Sequence, residues 1–305
     1  MFNLHQLWLF KKVVEFGGFS AAAEKLHIAQ PSISIQVRRL EKELNIDLFD
    51  RIGRRLHLTQ AGEELYYYAC RILNLAEEAE QNIRSLQDLK GAKIRIGAST
   101  TPGMYIIPVI AADFRRQYPD IEIELKVANT RSIEEKLLAN SIDLAVLGEE
   151  IDYDNNIKIE PLLEDNLVVV CGKEYEIAGE KKISIKKLTE QKFVLREKGS
   201  STRDMVDKLL DEKGLIIKDI WELPSTESIK QVVIANWGLS ILSYFSVRSE
   251  VSAGCMEIVN FEEDFSLSRN INLAFHRFKK FSPAVQIFYH FLKNSIDTFT
   301  LLNRE

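Results

Sequence analysis

Between Gln30 and Arg39 the chain reads QPSISIQVRR, with amides and hydroxyls first and a pair of guanidinium groups after them. Gln30, Ser32, Ser34 and Gln36 both donate and accept hydrogen bonds, while Arg38 and Arg39 offer forked donors to anionic oxygens. Arg51, Arg54 and Arg55 follow around Gly53. Amides and hydroxyls beside cations suit a double helix, the former for base edges and the latter for phosphates. A second polar set lies downstream: Ser99, Thr100 and Thr101, then Thr130, then Arg196, Ser200, Ser201, Thr202 and Arg203, and Thr226. Hydroxyls and backbone N–H groups at the ends of strands can cradle a small anion. Nothing comparable points to catalysis. There is no Gly-Lys-Ser/Thr phosphate loop, no Gly-x-Ser-x-Gly elbow and no paired-His metal motif, and His276 and His290 have no evident nucleophile.

The first set needs a helix to present it. Ile33, Val37, Leu40 and Leu44 recur at spacings of 4, 3 and 4, an apolar face opposite the polar one. Pro31 suits the first turn of that helix, where its missing N–H costs nothing. Just upstream, Ser20 can cap a short helix through Leu26, with Ala21, Ala22 and Ala23 permitting close approach, and His27 to Ala29 form the turn. An earlier helix, Leu4 to Phe16, carries Leu7, Phe10, Val13 and Val14 inward and stops at Gly17-Gly18. This is a helix–turn–helix with an exposed second helix. Its arginines could equally be a solvated face of an ordinary helical hairpin. Asp47 to Thr59 adds two short extended runs around Gly53, a wing beside the second helix.

Phe2 to Gly62 resembles the DNA-binding domain of LysR-type transcriptional regulators. The resemblance rests on Leu7, Phe10 and Val14, on Gly18 to Leu26, on Gln30 to Ser34 and Arg39-Leu40-Glu41, and on Leu48-Phe49, Arg51, Arg54-Arg55 and Leu58 to Gly62. It implies double-stranded operator or promoter DNA as a partner, read by Ser20, Gln30, Pro31, Ser32, Ser34, Gln36, Arg38, Arg39, Arg51, Arg54 and Arg55. The chain departs from the commonest family pattern at Ile35, where an Arg often follows the Ser. That removes one polar contact and offers an apolar one to a thymine methyl.

Thr59 caps a long helix to about Leu89 with a heptad stripe, Leu65, Tyr68, Ile72, Leu75, Ala79 and Leu86, and Asn82 at the remaining seam position. Such a stripe must bury itself, either on its own C-terminal domain or on the same helix of a second subunit. The resemblance favours the second and implies a homodimer or homotetramer. From Lys93 the pattern becomes α/β. Strands are expected at Lys93–Ala98, Ile121–Val127, Ile142–Leu147, Asn166–Cys171, Lys192–Leu195, Leu239–Ser243 and Asn270–His276. Between them come helices at Pro108–Tyr118, after a Ser132–Glu135 capping box, at Arg203–Lys213 and from Ser225 or Thr226 to Ala235, with a last helix at Pro283–Phe299. Strand–helix–strand order implies parallel pairing.

The resemblance extends loosely to the end of the chain. It implies an α+β multidomain fold: a winged helix-turn-helix over residues 1–59, a linker helix over 60–89 and a two-lobed α/β periplasmic-binding-protein-like effector domain over 90–305. Lobe I would take about 90–161 and 269–305, lobe II about 162–268, with crossings near Pro161 and near Phe265 to Ser268. A small, anionic effector would sit between the lobes, against Ser99, Thr100, Thr101, Thr130, Arg196, Ser200, Ser201, Thr202, Arg203 and Thr226. Each hydroxyl could instead simply cap a helix, and Arg196 or Arg203 could be spent on Glu197 or Asp207. Gly97 to Gly103 and Ala128 to Ile133 look similar to those of regulators of carbon-fixation and sulfite-reduction operons, which again suggests an anion.

Composition sets the outer bounds. The net charge of −5 does not advertise a polyanion partner, yet Lys25 to His57 holds seven Lys/Arg against four Asp/Glu, a local basic patch. Cys70, Cys171 and Cys255 are widely spaced and suit neither zinc nor a disulfide framework, so reduced thiols, no metal and no cofactor are expected. No apolar run reaches the roughly 18 residues of a membrane span, and Lys11-Lys12 interrupt the early apolar stretch, so the expectation is a cytoplasmic protein without a signal peptide. A solute-binding protein and an α/β enzyme are the rival readings; the N-terminal helical unit and the missing secretion signal argue against the first, and the missing catalytic motifs against the second. If the protein activates transcription, RNA polymerase would be a further partner.

Overall fold

The computed structural model describes residues 3–52, 55–85, 89–148, 154–262 and 267–302. Two units separate, Met1–Gln87 with Leu138–Ser141, and Asp88–Leu137 with Ile142–Glu305.

In the first unit α1 (Leu4–Glu15) begins with a capping box, Asn3 accepting from the His5 N–H while Gln6 reaches back to the Asn3 backbone. α2 (Phe19–Leu26) and α3 (Gln30–Leu44) follow. The α2 N-cap is Gly18, with no side-chain cap, so Ser20 lies inside the helix rather than capping it. His27 takes a left-handed conformation that ends α2 and turns the chain. Leu7, Phe10, Val13, Ala22, Ile33, Val37 and Leu40 form a fully buried core. Each larger side chain there contributes about 1.5–3 kcal/mol of burial. The expected wing is an antiparallel hairpin, β1 (Phe49–Ile52) with β2 (Arg55–Leu58). α4 (Gln60–Ser85) starts on Thr59, whose hydroxyl accepts from the Gly62 N–H and donates to the Asp47 carbonyl.

The expected heptad stripe of α4 divides. Leu65, Tyr66, Ala69, Ile72 and Leu73 pack on the unit's own core, whereas Tyr68, Leu75 and Ala79 are exposed. The helix keeps a 3.6-residue period where α1 covers it, so a 3.5-residue stripe drifts off the covered face. Leu86 lies outside the described residues.

The second unit opens with β3 (Lys93–Ala98), α5 (Thr100–Tyr105), α6 (Ile107–Gln117), β4 (Glu122–Val127), α7 (Thr130–Leu138) and β5 (Leu144–Gly148). α7 begins two residues before the expected capping box. Asn129 accepts from the Ser132 N–H, and the Ser132 hydroxyl receives Lys136 instead of capping. Then come β6 (Ile157–Gly172), α8 (Ile185–Leu188), β7 (Lys192–Arg196), α9 (Ser201–Glu212), β8 (Asp219–Leu223), α10 (Thr226–Ile234), β9 (Ser240–Ser243), α11 (Tyr244–Ser252), β10 (Met256–Ile258), β11 (Leu267–His276) and α12 (Pro283–Leu302). α8, β8, α11 and β10 were not anticipated; they are short or carry no clean period.

β3 pairs in parallel with β4 and β5, and β7 with β8, as the crossover rule requires. β6 and β11 are antiparallel to each other and long enough to serve both lobes. One lobe core gathers Ile94, Ile96, Phe114, Val146, Leu273 and Phe288. On the other side, Val169, Phe193, Leu195, Val206 and Ile241 form one cluster, and Val170, Val194, Ile229 and Val233 another. The register of β6 with β11 shifts between Ile271 and Asn272, where Asn272 faces Pro161. Proline has no N–H for the ladder, so a strand that carries it centrally must bulge. β6 therefore runs through Pro161, not from Asn166. Phe265 and Ser266 lie outside the described residues.

Candidate functional site

α3 presents Gln30, Pro31, Ser32, Arg38 and Arg39 exposed, with Ser34 and Gln36 half-buried. Gln30 donates its amide N–H to the Ser34 hydroxyl, so these groups hold each other in place. Ser20 is exposed one helix away. Glu41 accepts from the Leu48 N–H and ties α3 to the base of the wing. Arg54, and the side chains of Arg51 and Arg55, lie outside the described residues.

The second polar set converges in the second unit. Thr100 to Gly103, read from sequence as a loop, form the first turns of α5. Gly103 is required there, because a Cβ would come within 2.7 Å of a Val127 methyl carbon. Ser99 does not cap α5; its hydroxyl accepts from the Gly148 N–H, linking the ends of β3 and β5. Thr101 on α5, Thr130 at the start of α7, and Ser201 and Thr202 at the start of α9 meet around Arg269. Arg269 donates to the Ser201 hydroxyl at 3.2 Å, to the Thr202 hydroxyl at 3.0 Å and to the Thr101 hydroxyl at 3.3 Å. Each hydroxyl that accepts from Arg269 keeps its own proton to donate.

Arg269 is the residue that sequence reading missed. It lies on β11, directly across from Asp165 on β6, and its guanidinium Nε and Nη2 donate to one Asp165 oxygen at 2.9 and 2.8 Å. The Ser243 hydroxyl donates to the other oxygen at 2.6 Å. Burial pushes the Asp165 carboxyl up, against the pull of the guanidinium. An arginine one residue ahead of an expected strand is the sequence's only trace of this pair.

The space beside Arg269 is about 10 Å³, room for one water-sized group. Among the described residues it is lined by hydroxyls, Asn129, Arg196 and Arg269, and by no carboxylate. The Thr130 hydroxyl is buried there and has no hydrogen-bond partner among the described residues. Arg196 reaches this space but is held by Glu197 through two bonds of 2.8 Å, and it donates at 3.3 Å to Thr226. Arg203 does not line it. Its guanidinium serves Asp207, Glu222 and the Arg196 carbonyl. Both arginines therefore form salt bridges with acids of their own lobe.

At the cleft rim the Tyr105 hydroxyl of α5 donates to Glu227 of α10. Burial, reinforced by that carboxylate, pushes the Tyr105 phenol up. Lys230 is buried between Glu227 and Glu250 at 2.9 Å each and lies 5.4 Å from the Tyr105 ring centre. Burial pulls its ammonium down, but the two carboxylates outweigh this and leave it raised. A larger groove of about 630 Å³ between α6 and α12 is mostly apolar and carries Asp113 and His290, with no Lys or Arg among the described residues. Among the described residues no His/Cys/Asp/Glu group could hold a metal ion, and no helix is long and apolar enough to cross a membrane.

Known proteins share this architecture. A family model described as "Bacterial regulatory helix-turn-helix protein, lysR family" matches residues 4–63, and one described as "LysR substrate binding domain" matches residues 87–297. The HTH-type transcriptional activator CmpR of Synechocystis sp. strain PCC 6803 is 34% identical over 290 residues, covering 95% of this chain and 94% of that protein. The solved regulatory domain of Synechocystis PCC6803 CcmR in complex with 2-PG is 30% identical, with a TM-score of 0.62, covering 67% of this chain and 97% of that one. Full-length CbnR complexed with its target DNA has a TM-score of 0.72 over 96% of this chain and 100% of that one; at 23% identity the likeness is one of fold.

Proposed function

The chain belongs to the LysR family of DNA-binding transcriptional regulators, and on that premise we propose which of its residues meet DNA and which meet the effector. Gln30, Pro31, Ser32, Ser34 and Gln36 face base edges, while Arg38 and Arg39, with Ser20 and the wing arginines Arg51, Arg54 and Arg55, hold the phosphates. A winged unit ends near Thr59, α4 links it to a partner subunit, and the rest of the chain senses a metabolite. Such a protein is a regulator rather than an enzyme. Where it activates, RNA polymerase is a further partner.

The effector is a small anion, or the anionic end of a larger metabolite, gripped between the lobes. The observation that carries this is the buried Thr130 hydroxyl beside Arg269, which has no hydrogen-bond partner among the described residues, in a space they line with hydroxyls and guanidinium groups. Buried polar groups are normally paired, so an orphan aimed into a pocket walled by hydroxyl and guanidinium donors supports a missing acceptor. Thr101, Ser201 and Thr202 supply further donors, Ser99, Thr100, Ser200 and Arg196 complete the wall, and Arg203 and Thr226 act by holding Arg196. That the CcmR domain was solved with 2-PG supports the same class of ligand here. The effector works by binding one arrangement of the lobes better than the other.

Two measurements on the full chain test this. A mobility shift with DNA upstream of its own gene, at low and high salt, should reveal one tightly bound region whose affinity falls as salt rises. Arg38→Ala with Arg39→Ala should abolish the shift and leave the oligomer intact; dissociation would reject these roles. Thermal unfolding with sulfate, inorganic phosphate and 2-PG should give at least one upward shift. Thr130→Val should erase that shift without lowering the unliganded midpoint. No shift with any anion would reject the effector class.

A further inference from the structure

Ile35 is 51% exposed on α3 and is no part of the winged unit's core. Its position on the helix is specific. Ile33, Val37 and Leu40 are fully buried and fix the inner face. At 100° per residue, Ile35 projects from the middle of the opposite face. Pro31 stands one turn before it, Arg38 and Arg39 one turn after it, and Lys42 a further turn on, all exposed. An isolated surface isoleucine is ordinary. An isoleucine at the centre of the polar, cationic face of a recognition helix is not, because the cations that draw in a duplex also press this side chain against it.

Isoleucine can neither donate nor accept a hydrogen bond, so it cannot read the donor and acceptor pattern of a base pair. It can exclude water from whatever it touches. Amino and carbonyl groups on base edges lose hydration there without compensation. The thymine C5-methyl is the one apolar group the major groove displays, and it gains from the contact. Resting on the DNA-binding reading of this family and going beyond it, we propose that Ile35 is a specificity-determining residue that reads one thymine methyl in each half-site, with Pro31 beside it.

The test uses the full-length protein and a duplex enriched by it from a random-sequence pool. Each thymine of the half-sites is replaced in turn by deoxyuridine, which removes the methyl alone, and binding is measured at one fixed salt concentration. The wild type should lose affinity about fourfold per half-site at one thymine position, the worth of one buried methyl group. Ile35→Ser should bind thymine and uracil duplexes equally at that position, and Ile35→Leu should keep the discrimination. Since Ile35 packs on nothing in the core, both variants should fold, which unchanged circular dichroism and oligomer mass would verify. A wild type insensitive to every deoxyuridine, or an Ile35→Ser protein that still discriminates at the same position, overturns the inference and leaves DNA binding intact. A protein that enriches no duplex overturns both.

Discussion

Arg269 and Asp165 face each other on the strands that join the lobes, with side chains 1% and 0% exposed. A buried ion pair adds little net stability over an apolar pair, but removing one partner strands the other. Asp165→Ala should therefore lower unfolding stability by about 3–5 kcal/mol, and Asp165→Leu with Arg269→Met should recover most of that loss. Urea denaturation of the variants would check both. A partly exposed cluster behaves differently. Burial alone would raise the Glu160 carboxyl. Hydrogen bonds from Lys293 at 2.5 Å and Tyr289 at 2.6 Å, and the Lys158 ammonium at 2.9 Å, instead hold it at about 2, below its ordinary 4.5. A depressed carboxyl stabilises the fold above its unfolded value and loses that contribution as pH falls. Stability should thus decline between about pH 5 and pH 2, by on the order of 1 kcal/mol after solvent screening. Glu160→Gln should flatten that part of the curve of urea midpoint against pH.

At the scale of elements, the junction of wing and linker helix depends on one residue. A methyl group at Gly62 would overlap the Leu48 carbonyl oxygen and press on the Leu58 side chain. The carbonyl is backbone and is held by the Thr59 N–H, so it cannot swing aside. Gly62→Ala should cost about 1–3 kcal/mol. It should speed hydrogen exchange in β1 and β2 more than in α1. The exchange pattern separates a local fault at this junction from general loosening. α4 illustrates the limit of pattern reading on a long helix. Its early turns follow the intramolecular core, so only its outward residues remain for a partner.

For the whole molecule, the proposed pairing of α4 with its copy rests on those outward residues. Leu75 and Ile83 are 60% and 67% exposed on α4. If α4 pairs with its copy, Leu75→Asp with Ile83→Asp should shift sedimentation to a lower mass and weaken operator binding, while circular dichroism stays unchanged. Unaltered mass would move the dimer contact elsewhere.

The helix–turn–helix and wing were legible in the sequence because their contacts are local: the Ile33, Val37 and Leu40 period, Pro31 at a helix start, Thr59 as a cap. The strands and most helices of the second unit were legible from the apolar pattern within each element, although the strands pair with distant ones. What the residues alone left open was how the polar groups are used. Arg196 and Arg203, the cations singled out from sequence, are engaged by nearby acids. The cleft's central cation is Arg269, whose partners Asp165 and Thr101 lie 104 and 168 residues away in the chain. Periodicity reports which face of an element is buried. It does not report which buried charges meet, because that is fixed by strand register and lobe packing, which only the folded chain possesses.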